Sequence, residues 1–159
     1  MQTNMDSQLQ AATSALERCF DITVKVLVNA ILLKHPETVA HSERVSVFAI
    51  LIARAMRLSS ESIREIARGA LLHDVGKLAV PDDILRKAGP LDRDEIEVMR
   101  SHCRKGFEVV KNVPFLKEAA EIIYAHHENY DGGGYPRGLR GEGMPLGARI
   151  VSVANAFDI

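Results

Sequence analysis

Five of the six histidines, His41, His73, His102, His126 and His127, keep company with a carboxylate, another histidine or a glycine; only His35 looks incidental. Glu37 and His41 stand four apart, so a helix sets both on one face, where they could hold one ion together. A hydrogen-bonded surface pair is the alternative use of that spacing. His73 and Asp74 follow the apolar Ala70-Leu71-Leu72 and precede Gly76-Lys77, which brings two hard ligands to the point where a buried helix meets a flexible turn. A buried His-Asp hydrogen bond would use the same residues. His126 and His127 are adjacent, and neighbouring helix residues diverge by about a quarter-turn. They could therefore reach two ions a few ångströms apart, as a dinuclear site demands, or be one core ring and one exposed ring.

The elements that must position these groups read as helices. Apolar residues recur at helical spacing, as in Val45, Phe48, Ala49, Ile52 and Met56, so the expected fold class is all-α. A first helix is expected from about Ser7 to Lys34, broken at His35-Pro36, and a second from Pro36 to Arg57. Ser59 or Ser60 can cap a third that ends near His73-Asp74. A short helix near Asp82 to Arg86 follows. Asp92 with Glu95 then forms a capping-box start to one helix through Ile96, Met99 and Phe107, and Phe115 to Glu128 gives the next. Seven of the eleven glycines fall between Gly132 and Gly147, which requires a loop, after which Pro145 opens a last helix through Ile150, Val153 and Phe157. That helix reaches Ile159 without a capping residue, so the chain is expected to be one domain, 1–159, cut inside its final element.

Composition narrows the functional classes. A chain of 159 residues fits one domain, and 20 basic against 21 acidic residues give no overall field for a DNA or RNA polymer or a membrane surface. Cys19 and Cys103 lack the spacing of a disulfide framework or a thiolate zinc site, and are expected as reduced thiols in a cytoplasmic protein. The polar start has no signal-peptide order, and the longest apolar run, Ile22 to Leu33, is interrupted by Lys25 and Asn29, so no membrane span is expected. The first-helix stripe Leu16, Phe20, Val24, Leu27 and Ile31 can serve as core, as a homodimer contact or as a route for a signal from upstream.

His73-Asp74-Val75-Gly76-Lys77 resembles the HDxGK motif, and His126-His127-Glu128 followed by Asp131-Gly-Gly-Gly-Tyr-Pro136 resembles HHExxDGxGYP. Together they are similar to the signature of the HD-GYP family of the HD metal-dependent phosphohydrolase superfamily. The likeness runs from Glu37–Val45 through His102 and Gly106 to Arg149–Asn155. It implies an HD-type helical bundle with a glycine-rich GYP loop. It also implies metal ligation by His41, His73, Asp74, His102, His126 and His127, with Asp74 bridging two ions and Glu37 serving a third. Asn155 stands where the family usually has a metal-binding aspartate; its neutral carbonyl is a poorer ligand. Asp158 nearby is not expected to substitute. Cys103 replaces a frequent proline, a change expected to be tolerated.

The implied reaction is hydrolysis of cyclic di-GMP to pGpG, and further to GMP, by two or three divalent ions, iron or manganese. Asp74 and Lys77 are the expected catalytic residues, Lys77 stabilising charge on the phosphoryl group or leaving oxygen. The loop's backbone amides suit an anion, so Gly134, Tyr135, Arg137 and Arg149 are expected to bind substrate, with Arg140 nearby. Family resemblance also associates the GYP stretch with docking of a signalling partner. Two other readings stay open: an impaired module that binds without turnover, motivated by Asn155 and a missing basic segment beyond the chain's end, and an HD hydrolase of another nucleotide such as a cyclic GMP-AMP hybrid.

Overall fold

A computed structural model describes residues 2–34 and 36–158, with the side chains of residues 2–4, 32, 36 and 37 outside the description. His35, the side chain of Glu37 and the end of the chain at Ile159 therefore lie outside the described residues. The elements are α1 (Gln2–Lys34), α2 (Pro36–Ala55), α3 (Ser60–Leu72), α4 (Asp82–Leu85), α5 (Arg93–Arg100), α6 (His102–Val110), α7 (Lys117–Ala125) and α8 (Leu146–Phe157). Short 3-10 turns cover Val75–Ala79, Pro114–Leu116 and Gly141–Gly143, and no strand occurs among the described residues. The all-α expectation is met.

Local chemistry sets several boundaries. Ser59 caps α3 by accepting from the Ser62 amide at 3.1 Å. Asp92 and Glu95 form a reciprocal capping box at the start of α5. The single helix expected from Asp92 through Phe107 is instead two, because the chain turns at Ser101. There the Ser101 hydroxyl donates to the Val98 carbonyl at 2.5 Å, and the His102 ring takes the Met99 carbonyl at 2.6 Å. Side chains that capture helix carbonyls in this way compete with continuation of the ladder.

The core has two lobes that share the α3/α7 pair. On one side Val24, Val28 and Ile31 of α1 pack with Leu72, Val75, Leu116 and Ile123. On the other, Val45, Ala49 and Ala53 of α2 meet Ile66, Ile122, Ile150 and Ala154. Gly76 makes a closer approach than any side chain permits, since a Cβ there would lie 1.9 Å from the His102 carbonyl oxygen. Glycine at this point lets the turn after Asp74 lie against the start of α6. The Lys34 ammonium ties the end of α1 to the same turn, donating to the Leu78 carbonyl at 2.9 Å and the Val80 carbonyl at 2.6 Å.

Candidate metal centre

Three buried histidines arrive by one device. His73 caps the C-terminus of α3, His126 caps that of α7, and His102 follows the turn at the end of α5. Each ring donates Nδ1–H to the carbonyl three residues back: His73 to Ala70 at 2.7 Å, His102 to Met99 at 2.6 Å and His126 to Ile123 at 2.8 Å. Those carbonyls sit at helix ends, where the i+4 amide partner is missing, so the bond serves both groups. It also fixes the tautomer and leaves the Nε2 lone pair free.

Burial lowers the pKa of all three rings, so they are neutral at pH 7. His127 is lowered to about 4 by burial, with His102 adding to the effect. The His102 and His126 Nε2 atoms face each other at 3.3 Å. With both Nδ1 protons committed to carbonyls, two lone pairs point toward one place; a cation placed there relieves their repulsion.

The donors form two groups, each with ligand atoms within 4.8 Å of one another: His102, Cys103, His126 and His127 in one, His41, His73 and Asp74 in the other. Asp74 reaches toward both. Its Oδ2 lies 3.4 Å from His73 Nε2 and 2.7 Å from Lys77 Nζ, while Oδ1 lies 3.5 Å from His102 Nε2. Burial on its own would raise the Asp74 carboxyl, but His73, Lys77 and His102 hold it far below the usual carboxylate range. An anionic oxygen pair between two nests of imidazoles suits divalent first-row cations.

His41 comes from α2 and is oriented from its far side. Its Nδ1–H donates to Asp158 Oδ2 at 2.7 Å, and Arg44 grips the same carboxylate through Nε at 2.6 Å and Nη2 at 2.9 Å. Hydrogen bonds from Arg44 and then from His41 lower Asp158 to about 2. His41 Nε2 lies 2.8 Å from Asn155 Oδ1, close to the separation of two neighbouring ligands at about 2.1 Å from one ion. The sequence-expected set His41, His73, Asp74, Lys77, His102, His126, His127 and Asn155 thus converges. Asp158 does not replace Asn155; it holds His41 from behind, a partnership across 117 residues that no local spacing signals.

The expected loop residues divide. Tyr135 lies against the site, stacked on His127 with centroids 4.8 Å apart, and Arg100 sits 5.0 Å over its outer face. Gly134 is pressed on the end of α7, where a Cβ would meet the Asn129 amide nitrogen at 2.3 Å. Arg137 turns to α7, pairing with Glu121 at 3.1 Å and lying 4.5 Å over Tyr124. Arg149 sits early in α8, its Nε buried without a hydrogen-bond partner among the described residues.

Two residues to which the sequence assigned no role at the site lie in or beside it. Cys103 is fully buried beside the rings, its Sγ 3.5 Å from His102 Nε2, and burial with the nearby Asp74 pushes its thiol up to about 12. Glu128 is buried and accepts from the backbone amides of Arg137 at 2.6 Å and Leu139 at 2.9 Å. Its place directly after His126-His127 was the available signal.

The HD domain family matches residues 25–159. The chain is 43% identical over 157 residues to the cyclic di-GMP phosphodiesterase response regulator RpfG of Xanthomonas campestris, covering 98% of this chain and 42% of that protein. It is 42% identical over 125 residues to the 3'3'-cGAMP-specific phosphodiesterase 3 of Vibrio cholerae, covering 79% and 27%. In structure it resembles the HDG"Y"P protein of Bdellovibrio bacteriovorus, with a TM-score of 0.65 at 28% identity, over 76% of this chain and 40% of that one. The chain spans less than half the length of each of these relatives. The chain belongs to the HD domain family, and within it to the HD-GYP group.

Proposed function

We propose that the chain is a metal-dependent phosphodiesterase that opens cyclic di-GMP to linear pGpG. The observation that carries this reading is the facing pair of His102 and His126 Nε2 atoms at 3.3 Å, within a nest of neutral imidazoles around one ionised aspartate. The names of the relatives from Xanthomonas and Vibrio support a cyclic dinucleotide as the substrate class.

His102, His126, His127 and Cys103 would hold one ion, and His41, His73 and Asn155 a second, with Asp74 between them; Glu37 is assigned to a third. Divalent ions there, iron or manganese, supply Lewis acidity toward the phosphodiester and lower the pKa of water. Lys77 is half-buried, its ammonium reaching the edge of the site through Asp74, where it can offset charge on the departing ribose oxygen. Tyr135 has one face on His127 and the other under Arg100, so a guanine can stack on it only after the Arg100 guanidinium moves aside. Arg149, whose Nε is buried without a partner among the described residues, and Arg137, paired with Glu121, would each have to shift to reach a phosphate.

The test is anaerobic reconstitution with Fe(II) or Mn(II), addition of cyclic di-GMP or 3'3'-cGAMP, and chromatography of the products. Metal-dependent appearance of pGpG is expected, and faster turnover of the hybrid would reassign the substrate. A second reading, a module that binds a dinucleotide or a signalling partner at its loop without turnover, is favoured by one observation: a neutral amide faces His41 Nε2 where a carboxylate is usual. Asn155→Asp separates the two, since tight binding without hydrolysis in the parent and hydrolysis in the variant would select the module.

A further inference from the structure

The first-helix stripe singled out in the sequence faces mostly inward: Val24 and Ile31 are buried, and Phe20 stacks on Phe115 at 4.0 Å. Beside it, sharing Leu16, runs a second series. It begins Met5, Leu9, Ala12, Leu16, passes through Cys19 and ends at Leu33, with positions 23, 26 and 30 completing alternating steps of four and three. All its members are exposed except half-buried Ala30; Leu9 is 67% and Leu33 90% exposed.

Steps averaging 3.5 residues keep a seam straight only when two helices supercoil around each other. The core-facing Phe20, Val24, Leu27 and Ile31 step by the same four and three against the body, so what sets the second series apart is that it stays exposed from Met5 to Leu33 apart from half-buried Ala30. Charge permits self-pairing, because one flank of the seam is Gln8, Ala15, Ile22 and Asn29, and the other carries charge only at its ends, Asp6 and Lys34. With 33 residues, α1 is about 50 Å long; a strip about 10 Å wide covers about 500 Å² per chain, so a pair reaches the ~1,000 Å² of a specific interface. From Met5 to Ala15 every residue except Ser14 is exposed, and a lone helix of that length is marginal in water.

We propose that this face is a self-association surface on which α1 of one chain pairs with α1 of a second copy. Cys19 lies midway between Met5 and Leu33 on the seam, so in a parallel, in-register pair its thiol meets its counterpart.

The experiment combines sedimentation with mild oxidation of the full chain, its Cys19→Ser variant and the double variant Leu9→Glu/Leu16→Glu. Glutamate preserves helix propensity, and both leucines are exposed, so helical content and melting of the body serve as folding controls. The expected results are a dimer for the parent, an oxidised covalent dimer lost in Cys19→Ser, and at least 100-fold weaker association in the double variant. A parent that is monomeric up to about 100 µM, or a double variant that associates as the parent does, overturns the assignment. So does stable capture of an unrelated protein on this face by a parent that does not pair with itself.

Discussion

Each buried histidine of the site commits one nitrogen to a carbonyl at the end of the helix before it, and this has a pH signature. A buried neutral ring binds a proton less readily than the same ring in the unfolded chain, which titrates near 6.5. Below that value the unfolded chain holds more protons than the folded one, so stability falls as the acidity rises. Thermal melts of chelator-stripped protein are expected to drop steadily from pH 6.5 toward the value of about 4 held by His127; a flat profile across that window would show that the rings are not buried neutral. Asp158→Asn keeps the side-chain shape but removes the charge that orients His41, and outer partners of this kind are worth about 10–100-fold in metal affinity. Titration with Mn(II) should show a loss of that size at the site containing His41, with the folded state intact. The ligand types were legible because His, Asp and their neighbours carry the pattern themselves. Asp158 was not, because its role exists only after α8 has packed beside α2.

At the scale of elements, the loop after α7 is held by one buried carboxylate. Glu128 accepts two backbone amides from the far side of that loop. Glu128→Gln leaves one acceptor and removes the charge; a hydrogen bond to an ionised group is worth about 1.5–3 kcal/mol. Urea unfolding should show a loss of about 2 kcal/mol, and the amides of Arg137 and Leu139 should exchange faster while bound metal per chain is unchanged. Loss of metal instead would assign Glu128 to the ions. Helix starts were readable from Pro36, Ser59 and the Asp92/Glu95 pair because capping is local chemistry. The turn at Ser101 was not, since Ile96, Met99 and Phe107 keep helical spacing across it while two side chains draw carbonyls out of the ladder. The seam on α1 was hidden for another reason: Ala12, Cys19 and Thr23 weaken its apolar signal beside the stronger inward stripe.

At the scale of the whole molecule, the proposed ions draw donors from five helices or their ends, so binding should stabilise the fold as one unit. Metal at about 100 times its dissociation constant adds about 2.7 kcal/mol. Chelation should therefore lower the melting temperature by about 5–10 °C in a single transition, at about 2–4 °C per kcal/mol for a chain of this size. Asp74→Asn should melt at the same temperature with or without chelator; a chelator response equal to the parent's would remove Asp74 from the ligand set. The Lys34 ammonium helps to tie α1 to this body. It grips two carbonyls just beyond Lys77, at the C-terminal end of a helix whose N-terminal half is mostly exposed. Together with Val24, Val28 and Ile31, which pack against Val75, it joins the end of α1 to the segment bearing Asp74, so we propose that a displacement of this helix would be felt at the metal centre.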